Sequence, residues 1–163
     1  MTNKTPPILE QVKAVDYRTL TVSSPAFNYG ASIPQRYTCD GANTNPPLNI
    51  EYIPQEAISL AIIVDDPDAP VGTWSHWLIW NIPVTKKIRE NHQYGEEGKN
   101  DFMENRYDGP CPHKGKHRYR IKVYALDTIL ELTGQTRQHA LEKAMAGHIL
   151  AFGELMGTYQ RID

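Results

Sequence analysis

Two segments of this 163-residue chain bring histidine, carboxylate and phenol groups next to rigid turn residues. The first runs Asp65-Asp66-Pro67-Asp68-Ala69-Pro70, then Val71-Gly72-Thr73-Trp74-Ser75-His76-Trp77. The second runs Gly109-Pro110-Cys111-Pro112-His113-Lys114-Gly115-Lys116-His117-Arg118-Tyr119. In each, Pro and Gly stiffen a loop directly before a strand-like run, and a histidine stands where that run begins. Stiff loops at strand ends are where binding sites are usually built. A carboxylate, two imidazoles and a phenol converging from two such loops read more easily as a small-anion site than as a nucleophilic centre.

Each group also has a plainer role. Asp66 and Asp68 flank Pro67, and Asp and Pro are turn residues in their own right. Asp68 fits the turn, where its carboxylate can cap backbone N–H groups. Asp66 ends an apolar run, so its carboxylate is partly desolvated and needs partners. Histidine N–H groups are natural ones, and a carboxylate so placed fixes the imidazole tautomer. Tyr119 lies two residues beyond His117 and shares its face in a regular strand. Ser75 beside His76 does not make a nucleophile–base pair, because adjacent strand residues point to opposite faces and no G-x-S-x-G elbow is present. Cys111 sits between two prolines, with nothing in the sequence to depress its pKa. Asp66, His76 and His117 could supply an open three-ligand zinc site, but compact ligand spacings such as H-E-x-x-H or paired C-x-x-C are absent. The reading is therefore no metal and no catalytic residue.

The elements that must position these groups are mostly strands. Leu20–Ser23 is a short β-like run, and Leu48–Tyr52 alternates apolar and polar residues. Ser59–Val64 is continuous and β-branched, a strand buried on both faces, and His76–Ile82 is another. Lys86–Arg89 reads as a charged edge strand. Residues 94–108 are polar and Gly-containing, which predicts a long surface loop. Tyr119, Ile121, Val123 and Ala125 fall on one face of a strand, with Arg118, Arg120, Lys122 and Tyr124 on the other. One helix follows, capped by Thr136, with Ala140, Leu141, Ala144 and Met145 at helical spacing and Gly147 at its stop. A final strand runs from His148 to Tyr159. Trp77 and Trp80, an odd step apart, belong on opposite faces. Many short strands with one late helix point to an all-β sandwich.

The chain length fits one domain, residues 1–163, with residues 1–10 as a loose arm behind Pro6-Pro7. The formal net charge of −2 and the lack of a basic stripe argue against nucleic acid as a partner. The longest apolar stretch, near Leu60–Val64, is too short to span a bilayer, and the N-terminus lacks an apolar signal region. These features predict a soluble cytoplasmic protein. Two cysteines, Cys39 and Cys111, do not make a disulfide framework, so free thiols are expected in a reducing cytosol. Both nevertheless lie in loops that can meet in space.

The two histidine segments together resemble the phosphatidylethanolamine-binding protein family, also called the Raf kinase inhibitor protein family. Further segments are similar to its bacterial and archaeal branch: Tyr37-Thr38-Cys39-Asp40-Gly41, Asn45-Pro46-Pro47-Leu48, Tyr124-Ala125-Leu126-Asp127, Gly147-His148-Ile149-Leu150-Ala151 and Gly157-Thr158-Tyr159. The resemblance implies a sandwich of two antiparallel sheets in Greek-key arrangement with one or two short helices, and an anion pocket at one end. It carries the ligand-binding role to Asp66, Pro70, Trp74, His76, Gly109, Pro110, His117 and Tyr119. It implies a ligand such as phosphate, a carboxylate or a phospholipid head group, with no cofactor. It also implies regulation of a kinase or protease partner, a homodimer, and a cis peptide before Pro70. The alternatives are a hydrolase or phosphoryl-transfer enzyme using Asp66, His76 and His117, and an interaction module with a vestigial pocket. Three departures stand out: no long C-terminal helix as in the mammalian branch, His113 where a second proline is common, and a short segment from Pro70 to Trp74 that opens the rim. In such a pocket a bound anion would favour imidazolium, so sulfate should bind more tightly in acid.

Overall fold

The computed structural model describes residues 18–92 and 94–161. The expected N-terminal arm, residues 1–10, lies outside them. The described residues form nine strands: β1 (Arg18–Thr19), β2 (Thr21–Ser23), β3 (Leu48–Glu51), β4 (Ser59–Asp66), β5 (Trp74–Ile82), β6 (Lys87–Ile88), β7 (Glu96–Glu97), β8 (His117–Leu126) and β9 (Ile149–Tyr159). A 3-10 turn covers Gln35–Tyr37, and one helix, α1, covers Gln138–Met145.

Six strands form a sheet in the order β1-β9-β8-β4-β5-β7, and three form a second in the order β2-β3-β6. Within the large sheet β8-β4-β5-β7 is the Greek-key order, with the fourth strand returning beside the first. The pairings are antiparallel except β1 with β9, which is parallel. The two sheets enclose the main core. Val22, Leu48, Ile50 and Ile88 come from the small sheet, and Leu60, Ile62, Val64, Trp77, Ile121 and Val123 from the large one. On the outer face of the large sheet a second cluster of Ala61, Ile63, Leu78, Trp80 and Tyr124 is covered by Leu141 and Met145 of α1. This double burial explains the unbroken apolar run of β4, in which all eight residues are buried. Trp77 and Trp80 do fall on opposite faces.

Three local expectations change. Helix α1 begins after Arg137, which makes no side-chain cap, while the Thr136 carbonyl accepts the Lys99 N–H. Thr136 is thus a loop anchor rather than the cap. Gly147 does end the helix segment with φ +85. Residues 94–108 are not simply surface: they contain β7, and Asn100, Tyr107 and Asp108 are buried. Ala69–Pro70 is trans, since the described residues contain no cis peptide. Pro70 sits second in a turn closed by the Gly72 N–H donating to the Ala69 carbonyl at 3.1 Å, a position that suits a trans proline.

Candidate functional site

The site forms where β4 ends and β5 and β8 begin. Asp65 pairs with Arg120 in register, so Asp66 reaches the start of β8. Its Oδ2 accepts a hydrogen bond from Nδ1 of His117 at 2.6 Å, and its Oδ1 accepts the Asp68 N–H at 2.7 Å. The local turn contact therefore belongs to Asp66. Asp68 instead accepts three bonds from Arg118, one from its backbone N–H and two from its guanidinium. That guanidinium draws the Asp68 pKa down to about 2. Asp65 points to the opposite face, where it is fully buried against Lys122, Arg120 and Gln138.

His76 enters the site through a break in register. Val64 pairs with Trp77 and Asp65 with Ser75, so His76 is the extra residue of a β-bulge. Strict alternation would send it outward with Leu78 and Trp80. The bulge turns it inward, edge-on to Tyr119 at 5.4 Å and to Phe102 at 5.2 Å between ring centroids. Its Nδ1 lies 2.6 Å from the Asp108 carbonyl. A carbonyl only accepts, so Nδ1 carries the proton. The ring is 3 % exposed, and burial pushes its pKa below the ordinary value against the opposing pull of the Asp108 carbonyl, the Asp66 charge and the Gly109 backbone. Ser75 faces away from this side.

Asn100 holds the third wall. Its amide donates to the carbonyls of His76 and Arg106 and to Oδ2 of Asp108, and its Oδ1 accepts the N–H groups of Phe102 and Glu104. This knot places Phe102 edge-on to Trp74, with centroids 5.6 Å apart. The resulting cavity has a volume of about 290 Å³ and is lined by Asp66, Pro70, Trp74, His76, His117 and Tyr119 of the expected residues. Phe102, His113, Lys114 and Cys111 line it as well. Phe102 carried no sequence signal, because its position depends on the buried Asn100.

Gly109 and Pro110 stand behind the cavity rather than on its wall. The Gly109 N–H donates to Oδ1 of Asn43 at 2.7 Å, so it is not offered to a ligand. A Cβ here would lie 2.1 Å from the Tyr37 carbonyl oxygen, which is why glycine occupies the position. The Pro110 carbonyl accepts the Cys39 N–H at 3.1 Å. That pairing brings the two cysteines together, and Cys39 and Cys111 form a disulfide with Cα atoms 5.4 Å apart. The expectation of free thiols is thereby corrected. Closure of the two loops on each other, invisible in the spacing, decides it.

The polar inventory is uneven. Tyr119 is 1 % exposed, and its hydroxyl meets no hydrogen-bond partner among the described residues. Burial, reinforced by the charges of Asp66 and Asp68, pushes its pKa above the usual phenol value and keeps it a donor. Both ring nitrogens of His117 face acceptors, Asp66 on one side and the Lys114 carbonyl, at 3.1 Å, on the other. Among the described residues no group of three or more His, Cys, Asp or Glu is placed to hold a metal ion. None of their helices is long and apolar enough to cross a membrane.

A two-sheet Greek-key sandwich with an aromatic-walled, histidine-bearing cavity at the sheet ends defines the class of protein. The sequence profile of the phosphatidylethanolamine-binding protein family matches residues 23–160, and the chain belongs to that family. A UPF0098 protein of Pyrococcus abyssi is 50% identical over 149 residues, covering 85% of this chain and 84% of the relative. A crystal structure of a phosphatidylethanolamine-binding protein homologue from Chlamydia trachomatis superposes with a TM-score of 0.84 at 41% identity, covering 89% of this chain and 99% of that one. The structure of YbcL from E. coli, described as a new member of the mammalian family, has a TM-score of 0.81 at 25% identity, covering 88% and 99%.

Proposed function

We propose that the cavity binds a small anionic or phosphorylated ligand, such as phosphate, a carboxylate or a phospholipid head group, and that occupancy regulates a protein partner such as a kinase or protease. One observation carries this reading: the buried Tyr119 hydroxyl has no partner among the described residues and sits in a cavity with three histidines, His76, His113 and His117. A buried donor without a bond costs about 1–3 kcal/mol, which a ligand oxygen recovers. The mouth supports an anionic head on an apolar body. Val71 and Phe102 contribute exposed apolar side chains to it, and His113 and Lys114 contribute exposed polar ones.

Binding without turnover fits the groups present. Asp66 and His117 are bonded to each other, Cys111 is tied up in the disulfide, and Ser75 points elsewhere. Calorimetry with phosphoethanolamine and phenyl phosphate tests the proposal on wild type and on Tyr119→Phe. Micromolar to millimolar binding by wild type, weakened about ten-fold in the variant, is expected for loss of one bond to a charged group. Unchanged affinity in Tyr119→Phe overturns the assignment of the hydroxyl. Release of phosphate from either compound, lost in His117→Ala, would favour the hydrolase reading instead.

A further inference from the structure

The hydrogen-bond polarity of the cavity specifies more than an anion. Nδ1 of His76 donates its proton in a hydrogen bond to the Asp108 carbonyl, so the neutral ring keeps a lone pair on Nε2. Tyr119 offers the opposite polarity, a hydroxyl donor without a partner among the described residues. Resting on the anion-site reading above, we propose that the cavity selects a phosphate monoester retaining one proton and discriminates against the sulfate ester of the same shape. In this complex Tyr119 donates to a ligand oxygen while Nε2 of His76 accepts the ligand's own P–OH. A sulfate ester has no proton to give and leaves Nε2 facing an oxygen lone pair.

The surroundings of His76 favour this state over an imidazolium. The ring is packed edge-on between Phe102 and Tyr119, and it cannot exchange its two nitrogens without breaking its bond to Asp108. Each charged neighbour is already engaged. Asp66, from β4, accepts from His117 of β8 and from the Asp68 N–H. Asp68 is paired with Arg118. Asp108, from the loop, is paired with Arg106 and bonded by Asn100. His113 and Lys114 lie at the rim and are exposed. Among the described residues no buried Lys or Arg is bonded to His76, while the buried Asp66 carboxylate opposes a second negative charge on the ligand. Both terms favour a monoanion over a dianion.

Calorimetry of the intact, disulfide-bonded protein with phenyl phosphate, phenyl phosphonate and phenyl sulfate, at pH 5 and pH 7, tests this. The second ionisation of a phosphate monoester lies near 6, so the monoanion falls from about nine-tenths to about one-tenth of the ligand across that range. Phenyl phosphate is expected to bind roughly ten-fold more weakly at pH 7 than at pH 5. The phosphonate ionises at higher pH, and its midpoint should move up with it. Phenyl sulfate should bind at least ten-fold more weakly than phenyl phosphate at pH 5, with no pH dependence, in place of the tightening in acid expected from the sequence, because the Asp108 bond holds His76 as the neutral Nδ1–H tautomer. His76→Phe should erase the preference for phosphate, and the phosphonate shift on wild type serves even if that variant does not fold. Sulfate binding as tightly as phosphate, or all three ligands tightening in acid with one common midpoint, would mean that His76 or His117 takes the charge, and the selectivity proposal fails while the anion site stands. Binding by none of them removes both.

Discussion

Individual residues carry the chemistry through what they are bonded to. His76 is buried and neutral, and its pKa is depressed in the folded state, so the unfolded chain binds the extra proton. Its contribution to stability is therefore complete above the unfolded value near 6.5 and is lost as pH falls towards the folded value. Denaturant unfolding of the ligand-free protein at pH 7.5 and pH 5 should show wild type losing more stability in acid than His76→Gln. An equal acid loss in both would show that the buried ring charges without penalty. The Asp68–Arg118 pair behaves in the opposite range. Its contribution is present above the unfolded carboxylate value and fades as pH falls towards about 2, below the window in which His76 acts.

At the level of elements, the segment between β7 and β8 decides whether a cavity exists. Asn100, fully buried, holds five backbone and side-chain groups of that segment and of β5 together. Asn100→Ala removes these five bonds, leaving the His76 carbonyl only the Asp108 N–H. We expect a loss of about 3 kcal/mol, the sum of a few net hydrogen bonds with some relaxation. Phe102 and Trp74 should lose their edge-on contact in the same variant. Chemical denaturation measures the first effect, and a weakened phenyl phosphate affinity in the folded variant reports the second. Stability within about 0.5 kcal/mol of wild type would show that the segment is held from elsewhere.

Over the whole molecule, the disulfide ties a loop before β3 to the loop before β8. Cys39 and Cys111 are separated by 72 residues, and closing a loop of that length stabilises the fold by about 4 kcal/mol in the chain-entropy account. Reduction by a dithiol, or the Cys39→Ser/Cys111→Ser pair, should lower the denaturation midpoint by a corresponding amount while leaving the sandwich cores intact. Because Cys111 also lines the cavity, ligand affinity should fall with it. A denaturation midpoint and an affinity both insensitive to dithiol would show that the Cys39 N–H bond to Pro110 and the Gly109 bond to Asn43 suffice to seat the loop.

Much of this protein was legible in its sequence because nearest-neighbour sterics and polarity act locally. The β-branched run of β4, the period-2 face of Tyr119, Ile121, Val123 and Ala125, and the stop at Gly147 announced their elements. The histidine segments announced the site and, by resemblance, the family. Three decisions were made elsewhere. The inward turn of His76 comes from a bulge, which is a mismatch between two strands and has no signature in either one. The placement of Phe102 comes from the buried Asn100, a polar residue whose partners are mostly backbone groups, so composition marks the segment as surface. The disulfide comes from the approach of two loops far apart in sequence. Pairing register and loop closure are properties of the assembled sheets. Only tertiary structure could therefore decide which nitrogen of His76 carries a proton, and with it what the cavity accepts.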